Sequence, residues 1–342
     1  MSGSTPPAAR VHKPAPKKRP AVRNTEPYPP PFRRAFLRPR YWSTWLGIGV
    51  LYLLQGVPRR LTWELARLLG FLAWRTSPKR RRIVNLNLAW CFPALTDSER
   101  RALVRRYFHT FAHTALDAGL LWLGGTRRLD QRVVAHGFEH IEAARAAGEG
   151  AILLTPHMLG LEFGAQAVAE RFPTVGIVKP ARNRLFDFFM ARGRTRSGGR
   201  IYRRDQGMRP LIKACKDGEL IYYLPDEDLG GTQTVVFAPF YGVPAATLTA
   251  MPRLTRMCRA RVFPLATWYR PETRTYEVRV FPPLAGYPSG DDLADATRMN
   301  QAIEAIIDEA PEQYMWSLRL FQTRPNGAPS PYNQEKAAVR PS

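Results

Sequence analysis

The strongest hydrophobic feature in the chain is an uncharged run, YWSTWLGIGVLYLLQGV, over residues 41–57. It is about the minimum length for a helix that crosses a bilayer. Arg38 and Arg40 precede it, Arg59 and Arg60 follow it, and Tyr41, Trp42 and Trp45 sit at its N-terminal end, where interfacial aromatics collect. The run predicts a membrane anchor, either transmembrane or lying in the interface. Residues 61–74 then place Leu61, Leu65, Leu68, Leu69 and Leu72 on one helical stripe. The basic cluster SPKRRR at 77–82 has the character of a segment that meets anionic lipid headgroups. Residues 83–90 continue helically. Thr96, Asp97, Ser98 and Glu99 read as an N-cap with acids in the first turn, opening a long helix to about residue 123.

From about residue 132 the pattern changes. Short apolar strands at 151–154, 174–179, 200–203, 219–225, 262–269 and 276–284 alternate with helices at 162–170, 185–193, 207–216, 248–259 and 291–309. This alternation predicts an α/β fold: an αβα sandwich around a mixed, largely parallel sheet, with the last two strands antiparallel. The expected organisation is a tail over 1–40, an anchor over 41–58, a membrane-proximal helical region over 59–130, the α/β domain over 131–332 and a short disordered end over 333–342.

Charge sharpens this picture. The formal net charge of +23 points to an anionic partner. Residues 1–40 carry ten Lys or Arg against the single acid Glu26, which predicts a disordered basic tail too polar for a secretory signal. No zinc-finger, RNA-recognition or helix-turn-helix pattern accompanies the charge, so a membrane-tethered nucleic-acid-binding protein is the weaker reading and no nucleic acid is expected. The cysteines Cys91, Cys215 and Cys258 are far apart, which fits a reducing compartment without a disulfide framework.

The chemistry concentrates in TPHMLGLE, residues 155–162, at the end of one strand and the start of a helix. Ligands gather at that edge of open α/β sheets. His157 and Glu162 are five apart, which leaves them about 140° apart on an ideal helix. They can meet only if His157 lies in the preceding loop, a break that Pro156 and Gly160 favour. A carboxylate beside an imidazole holds its tautomer and steadies the imidazolium, as a general base requires. No serine or cysteine occupies a nucleophile elbow, so the base acts on a substrate hydroxyl directly. Downstream, the stretch 179–209 is dense in Lys and Arg, including Lys179, Arg182 and Arg194. These residues suit phosphates and carboxylates or a developing oxyanion. Asp226, Glu227 and Asp228 follow a strand end and are expected to bond a neighbouring arginine or the acceptor rather than a metal. Asn183 and Asp187 read as a helix cap and an early-turn acid.

With these blocks in order, the chain resembles the bacterial lipid A biosynthesis (late) acyltransferases of lauroyl/myristoyl transferase type, within the HX4D/E glycerolipid acyltransferase superfamily. The resemblance spans about 38–332 through RPRYWSTWLGIGVLYLL (38–54), RRRIVNLNLAWCFP (80–93), TPHMLGLEFG (155–164), NRLFDFFMARGRTRSG (183–198), LPDEDLG (224–230), FAPFYGV (237–243) and PEQYMWSLRLFQTRP (311–325). It implies an enzyme of lipopolysaccharide biosynthesis on the cytoplasmic face of the inner membrane. The enzyme would move a fatty acyl chain from acyl carrier protein to a hydroxyl of a Kdo-bearing lipid A precursor, without a metal or cofactor. It implies His157 as base, Glu162 as its partner, Arg194 as tied to activity, and Asp226 or Asp228 as a functional acid. Two departures stand out: Val178–Lys179–Pro180 replaces the usual Tyr-Arg-Pro, and Leu318–Arg319–Leu320–Phe321 replaces the usual His-Arg/Lys-Arg-Phe. They keep open an acyltransferase with another lipid acceptor.

Overall fold

The computed structural model describes residues 28–125, 129–229 and 234–333; most of the expected N-terminal tail and nearly all of the C-terminal one lie outside them. Four helices come first: α1 (Trp42–Leu54), α2 (Arg59–Thr76), α3 (Pro78–Cys91) and α4 (Asp97–Leu123). Prolines separate them: Pro58 precedes α2 and Pro78 opens α3, positions where a missing N–H costs nothing. α4 begins with a capping box, the Thr96 side chain accepting from the Glu99 amide and the Glu99 carboxylate accepting from the Thr96 amide.

The apolar run at 41–57 forms a helix of only 13 residues, about 20 Å against a bilayer core of about 30 Å. Among the described residues no helix is long and apolar enough to cross a membrane. Instead α1 and α2 fold across α4. A Cβ on Gly119 would fall 2.6 Å from the Leu51 carbonyl oxygen, and one on Gly70 2.7 Å from the His109 Cα. The leucine stripe of α2 therefore faces outward. Thr62, Ala66 and Gly70 form its buried side, while Leu61, Leu68, Leu69, Phe71 and Leu72 are exposed, as are Trp42, Leu46, Val50, Tyr52 and Leu53 of α1. Backbones approach closely only where side chains are small. Gly70→Ala is accordingly expected to destabilise the protein by about 1–3 kcal/mol through overpacking, seen as a lowered midpoint in denaturant titration.

Residues 28–41 differ from the expected tail. Two 3₁₀ turns, Arg34–Leu37 and Pro39–Tyr41, seat Phe36 in a small hydrophobic cluster with Tyr41 and Leu185, and the Tyr28 hydroxyl donates to Asp187 at 3.3 Å. Aromatic anchors inside a Pro/Arg-rich stretch hold it against the domain despite its polar average.

The α/β domain contains a seven-stranded sheet, in the order β1 (Val133–His136), β9 (Thr275–Val280), β8 (Ala260–Arg270), β2 (Gly150–Leu154), β5 (Leu220–Tyr223), β3 (Thr174–Val178) and β4 (Arg200–Arg203). Only β8 and β9 pair antiparallel; the other neighbours run parallel. Alternate residues of β2 feed two cores. Ile152 and Leu154 pack with α3, α4, α8 (Arg209–Lys216), α9 (Ala250–Cys258) and α10 (Asp292–Glu309), while Ala151 and Leu153 pack with α5 (Phe138–Ala146) and α6 (Leu161–Arg171). The remaining helix, α7 (Arg184–Thr195), packs against α4. The helix α5, the strand β1 and the β6–β7 hairpin had no counterpart in the sequence reading. β1 is a four-residue, mostly exposed edge strand. The hairpin β6 (Val235–Phe240) and β7 (Val243–Leu248) sets Pro239 opposite Pro244. Proline argues against an interior strand, but this ribbon has two strands only.

Candidate active site

β2 and β5 are parallel neighbours, so the loops after them leave the sheet at the same edge. Thr155 N–H donates to the carbonyl of Tyr223, the last residue of β5, at 3.0 Å, carrying the pairing one residue past the end of β2. The next turns bring His157 and Asp226 together. His157 Nδ1 lies 2.6 Å from Asp226 Oδ1, and the His157 backbone N–H donates to Asp226 Oδ2 at 2.7 Å. Tyr314 donates its hydroxyl to the same Oδ2 at 2.9 Å. Tyr314 arrives on a C-terminal segment that pairs with the His157 loop: Met315 N–H donates to the His157 carbonyl at 2.9 Å and Leu159 N–H to the Gln313 carbonyl at 2.7 Å. Asn87 of α3 holds that segment through the carbonyls of Trp316 and Leu318, and Tyr332 donates to Asn87. Sequence blocks near residues 87, 157, 226 and 314 thus converge on one loop cluster.

The Asp226 side chain is 3% exposed and the His157 side chain 20%. Burial pulls the imidazole pKa down, but the charge and hydrogen bond of Asp226 outweigh it and hold it above the ordinary histidine value. Burial pushes the Asp226 carboxyl up, and His157 and Tyr314 more than compensate, keeping it below the usual carboxylate range. A carboxylate accepting from Nδ1 puts the proton there and leaves the Nε2 lone pair for substrate. This is a base with a fixed tautomer.

The carboxylate on His157 is therefore Asp226, where Glu162 was expected. The tight turn at 156–160, with Met158 N–H on the Pro156 carbonyl at 2.7 Å, directs the imidazole toward the loop after β5. Glu162, on the first turn of α6, accepts instead from Arg194 Nε at 2.9 and 3.0 Å and from its Nη2; no hydrogen bond joins it to His157. Arg194 and Glu162 are 21% and 25% exposed. Glu162→Ala strands the guanidinium and is expected to cost about 2 kcal/mol, below the 3–5 of a fully buried pair, as a denaturant titration checks.

The other expected site residues separate into two groups. Lys179 and Arg182 are exposed. Asp228 turns away from His157 to accept from the Thr323 amide and, at 2.8 Å, its hydroxyl. In the basic stretch, Arg196 donates to the Leu121 carbonyl at 2.8 Å at the end of α4, and Arg204 pairs with Glu227 at 2.6 Å. These are structural uses of charges that the sequence alone leaves as ligand candidates. Asn183 caps α7, its side chain accepting from Leu185 and Phe186 amides at 3.1 Å, and Asp187 accepts from the Ala181 amide at 2.7 Å. Tyr314 is the functional-site residue that sequence reasoning passed over. It stands in the PEQYMWS block, but only the pairing of that block with the His157 loop gives it a role. Among the described residues no group of three or more His, Cys, Asp or Glu is placed to hold a metal ion.

Residues 29–323 match the family described as bacterial lipid A biosynthesis acyltransferase. The chain is similar to the lipid A biosynthesis lauroyltransferase of Escherichia coli K12, at 38% identity over 304 residues, 89% of this chain and 99% of the relative. The myristoyltransferase of the same organism is 33% identical over 92% of this chain and 97% of its own length. Its palmitoleoyltransferase is 31% identical over 88% and 98%.

Proposed function

The chain belongs to the bacterial lipid A biosynthesis acyltransferase family, and on that premise we propose that it transfers a fatty acyl chain from acyl carrier protein to a hydroxyl of a Kdo-bearing lipid A precursor. The contact between His157 and Asp226 at the C-terminal edge of the sheet carries this reading. Asp226 holds the proton on Nδ1, and Nε2 takes the proton of the acceptor hydroxyl. The oxygen attacks the thioester carbonyl, a tetrahedral intermediate forms, and its collapse expels the carrier thiolate. That thiolate takes the proton from His157 Nε2, restoring the base. Glu162 fixes Arg194 through Nε and Nη2, and Arg194 Nη1 remains for a phosphate or sugar carboxylate of the acceptor. Lys179 and Arg182 add exposed positive charge that speeds encounter with an acidic carrier protein.

The same reading places the protein on the cytoplasmic face of the inner membrane. α1 and α2 present their apolar side chains to the outside, beside exposed Arg38, Arg40, Arg60, Arg75, Lys79 and Arg80. Apolar side chains flanked by cations suit a helix pair lying in the headgroup region of an anionic leaflet. The test is direct. Purified protein is mixed with labelled acyl carrier protein thioester and a tetra-acylated, Kdo-bearing precursor in mixed micelles. The expected product is the precursor carrying one further acyl chain. A folded protein that leaves both reactants unchanged across donor chain lengths contradicts the proposal.

A further inference from the structure

A second buried polar cluster lies where α2, α4 and the sheet meet. Arg59, the first residue of α2, grips the Asp117 carboxylate of α4 through both terminal nitrogens, Nη2 to Oδ2 at 2.7 Å. Asp117 Oδ2 also accepts from the Tyr276 hydroxyl of β9 at 2.8 Å. The Tyr276 ring lies flat on Phe163 of α6, with centroids 3.6 Å apart and planes at 8°. A Cβ on Gly160 would come within 3.1 Å of the same ring. Gly160 and Phe163 bracket Glu162, and Gly160 closes the turn that carries His157.

We propose that Tyr276 is a positioning residue for acyl transfer: anchored by Asp117 and Arg59, its ring fixes the segment 157–163 and with it His157 and Glu162. This rests on the reaction proposed above. Filling the core would need no hydroxyl, since phenylalanine offers the same stack on Phe163. A buried ion pair is also a poor means of adding stability, because well-packed apolar residues often serve as well or better. What Arg59 and Asp117 add is a directional hold on one ring, and that ring touches both sides of Glu162. The hold begins at the first residue of α2, so the helix with the outward apolar face is tied to the catalytic turn by side chains in direct contact.

The test compares Tyr276→Phe with Tyr269→Phe in the full-length protein in mixed micelles. Tyr269 belongs to the same cluster, its ring 5.1 Å from that of Tyr276 and against Trp63 and His113 of the helical layer, but the hydroxyl that donates to Asp117 is that of Tyr276, and phenylalanine at 269 keeps the ring contacts. Tyr276→Phe is expected to lower kcat about tenfold by loosening the reacting geometry, with KM for the donor within about twofold. Amides of 157–164 are expected to exchange with deuterium about tenfold faster. Tyr269→Phe is expected to keep kcat within about twofold and to leave that exchange unchanged. Wild-type kcat and exchange in Tyr276→Phe would overturn the proposal. So would parallel losses in both variants that follow their denaturation midpoints. If the wild type transfers nothing to this acceptor, the reaction reading falls, while the exchange comparison still decides whether Tyr276 holds the segment.

Discussion

His157→Ala is expected to lower acyl transfer by about 10²- to 10⁴-fold, the range that a positioned general base contributes. No other group in the described site offers an imidazole or a comparable base to the acceptor hydroxyl, and a lipid hydroxyl is almost wholly protonated near neutral pH. The variant should fold. Asp226 keeps its hydrogen bonds from the residue 157 amide and from Tyr314, and the Met315 N–H bond to the residue 157 carbonyl involves no side chain. The loss should therefore appear in kcat of a folded protein whose denaturation midpoint is only modestly lowered, because buried Asp226 Oδ1 loses its partner at a cost of about 1–3 kcal/mol, measured by initial rates at saturating donor beside a denaturant titration.

Asp226→Asn is expected to be nearly as damaging, for a reason that lies in its hydrogen bonds. Two donors, the His157 amide and the Tyr314 hydroxyl, meet at Oδ2. In the variant the single amide oxygen is drawn to that position, and the NH₂ group then faces His157 Nδ1. Nδ1 must accept, so the ring proton moves to Nε2, the wrong tautomer for a base. A fall of about 10²-fold or more follows. The pH dependence changes too. Asp226 is what raises the imidazole pKa against the opposing effect of burial. The base works only when neutral, so the rate falls as pH drops through that pKa. With the carboxylate gone, burial is left to lower the pKa, and the acid limb of the profile moves to lower pH.

Much of this site was legible in the sequence, and the exceptions have physical causes. His157 announced itself because TPHMLGLE joins a short apolar strand to a helix, a local pattern. Its partner did not, because the choice between Glu162 and Asp226 depends on which strand lies next to β2, and sheet order is not a local property. Asp226 was in view as a functional acid, yet its contact with His157 exists only because β5 pairs with β2. Tyr314 needed a longer-range pairing still. α2 illustrates a different limit: periodicity located its leucine stripe but not the side that faces inward. The contact with α4 selected Thr62, Ala66 and Gly70 because two backbones meet there. The segment 28–41 was hidden by its own average, a few aromatics among prolines and arginines.

Glu162 has a different role from the one its spacing suggested. It pairs with Arg194, whereas the carboxylate on His157 is that of Asp226. Loss of Glu162 should reduce the rate without changing the protonation behaviour of His157. That difference separates the two carboxylates experimentally.

The measurement that bears most directly on the central claim is the pH profile of kcat/KM for acyl transfer in the wild type, Asp226→Asn and Glu162→Gln. The account predicts that Asp226→Asn moves the acid limb to lower pH, while Glu162→Gln lowers the whole profile and leaves the limb in place. A limb that moves in Glu162→Gln and stays fixed in Asp226→Asn would contradict it.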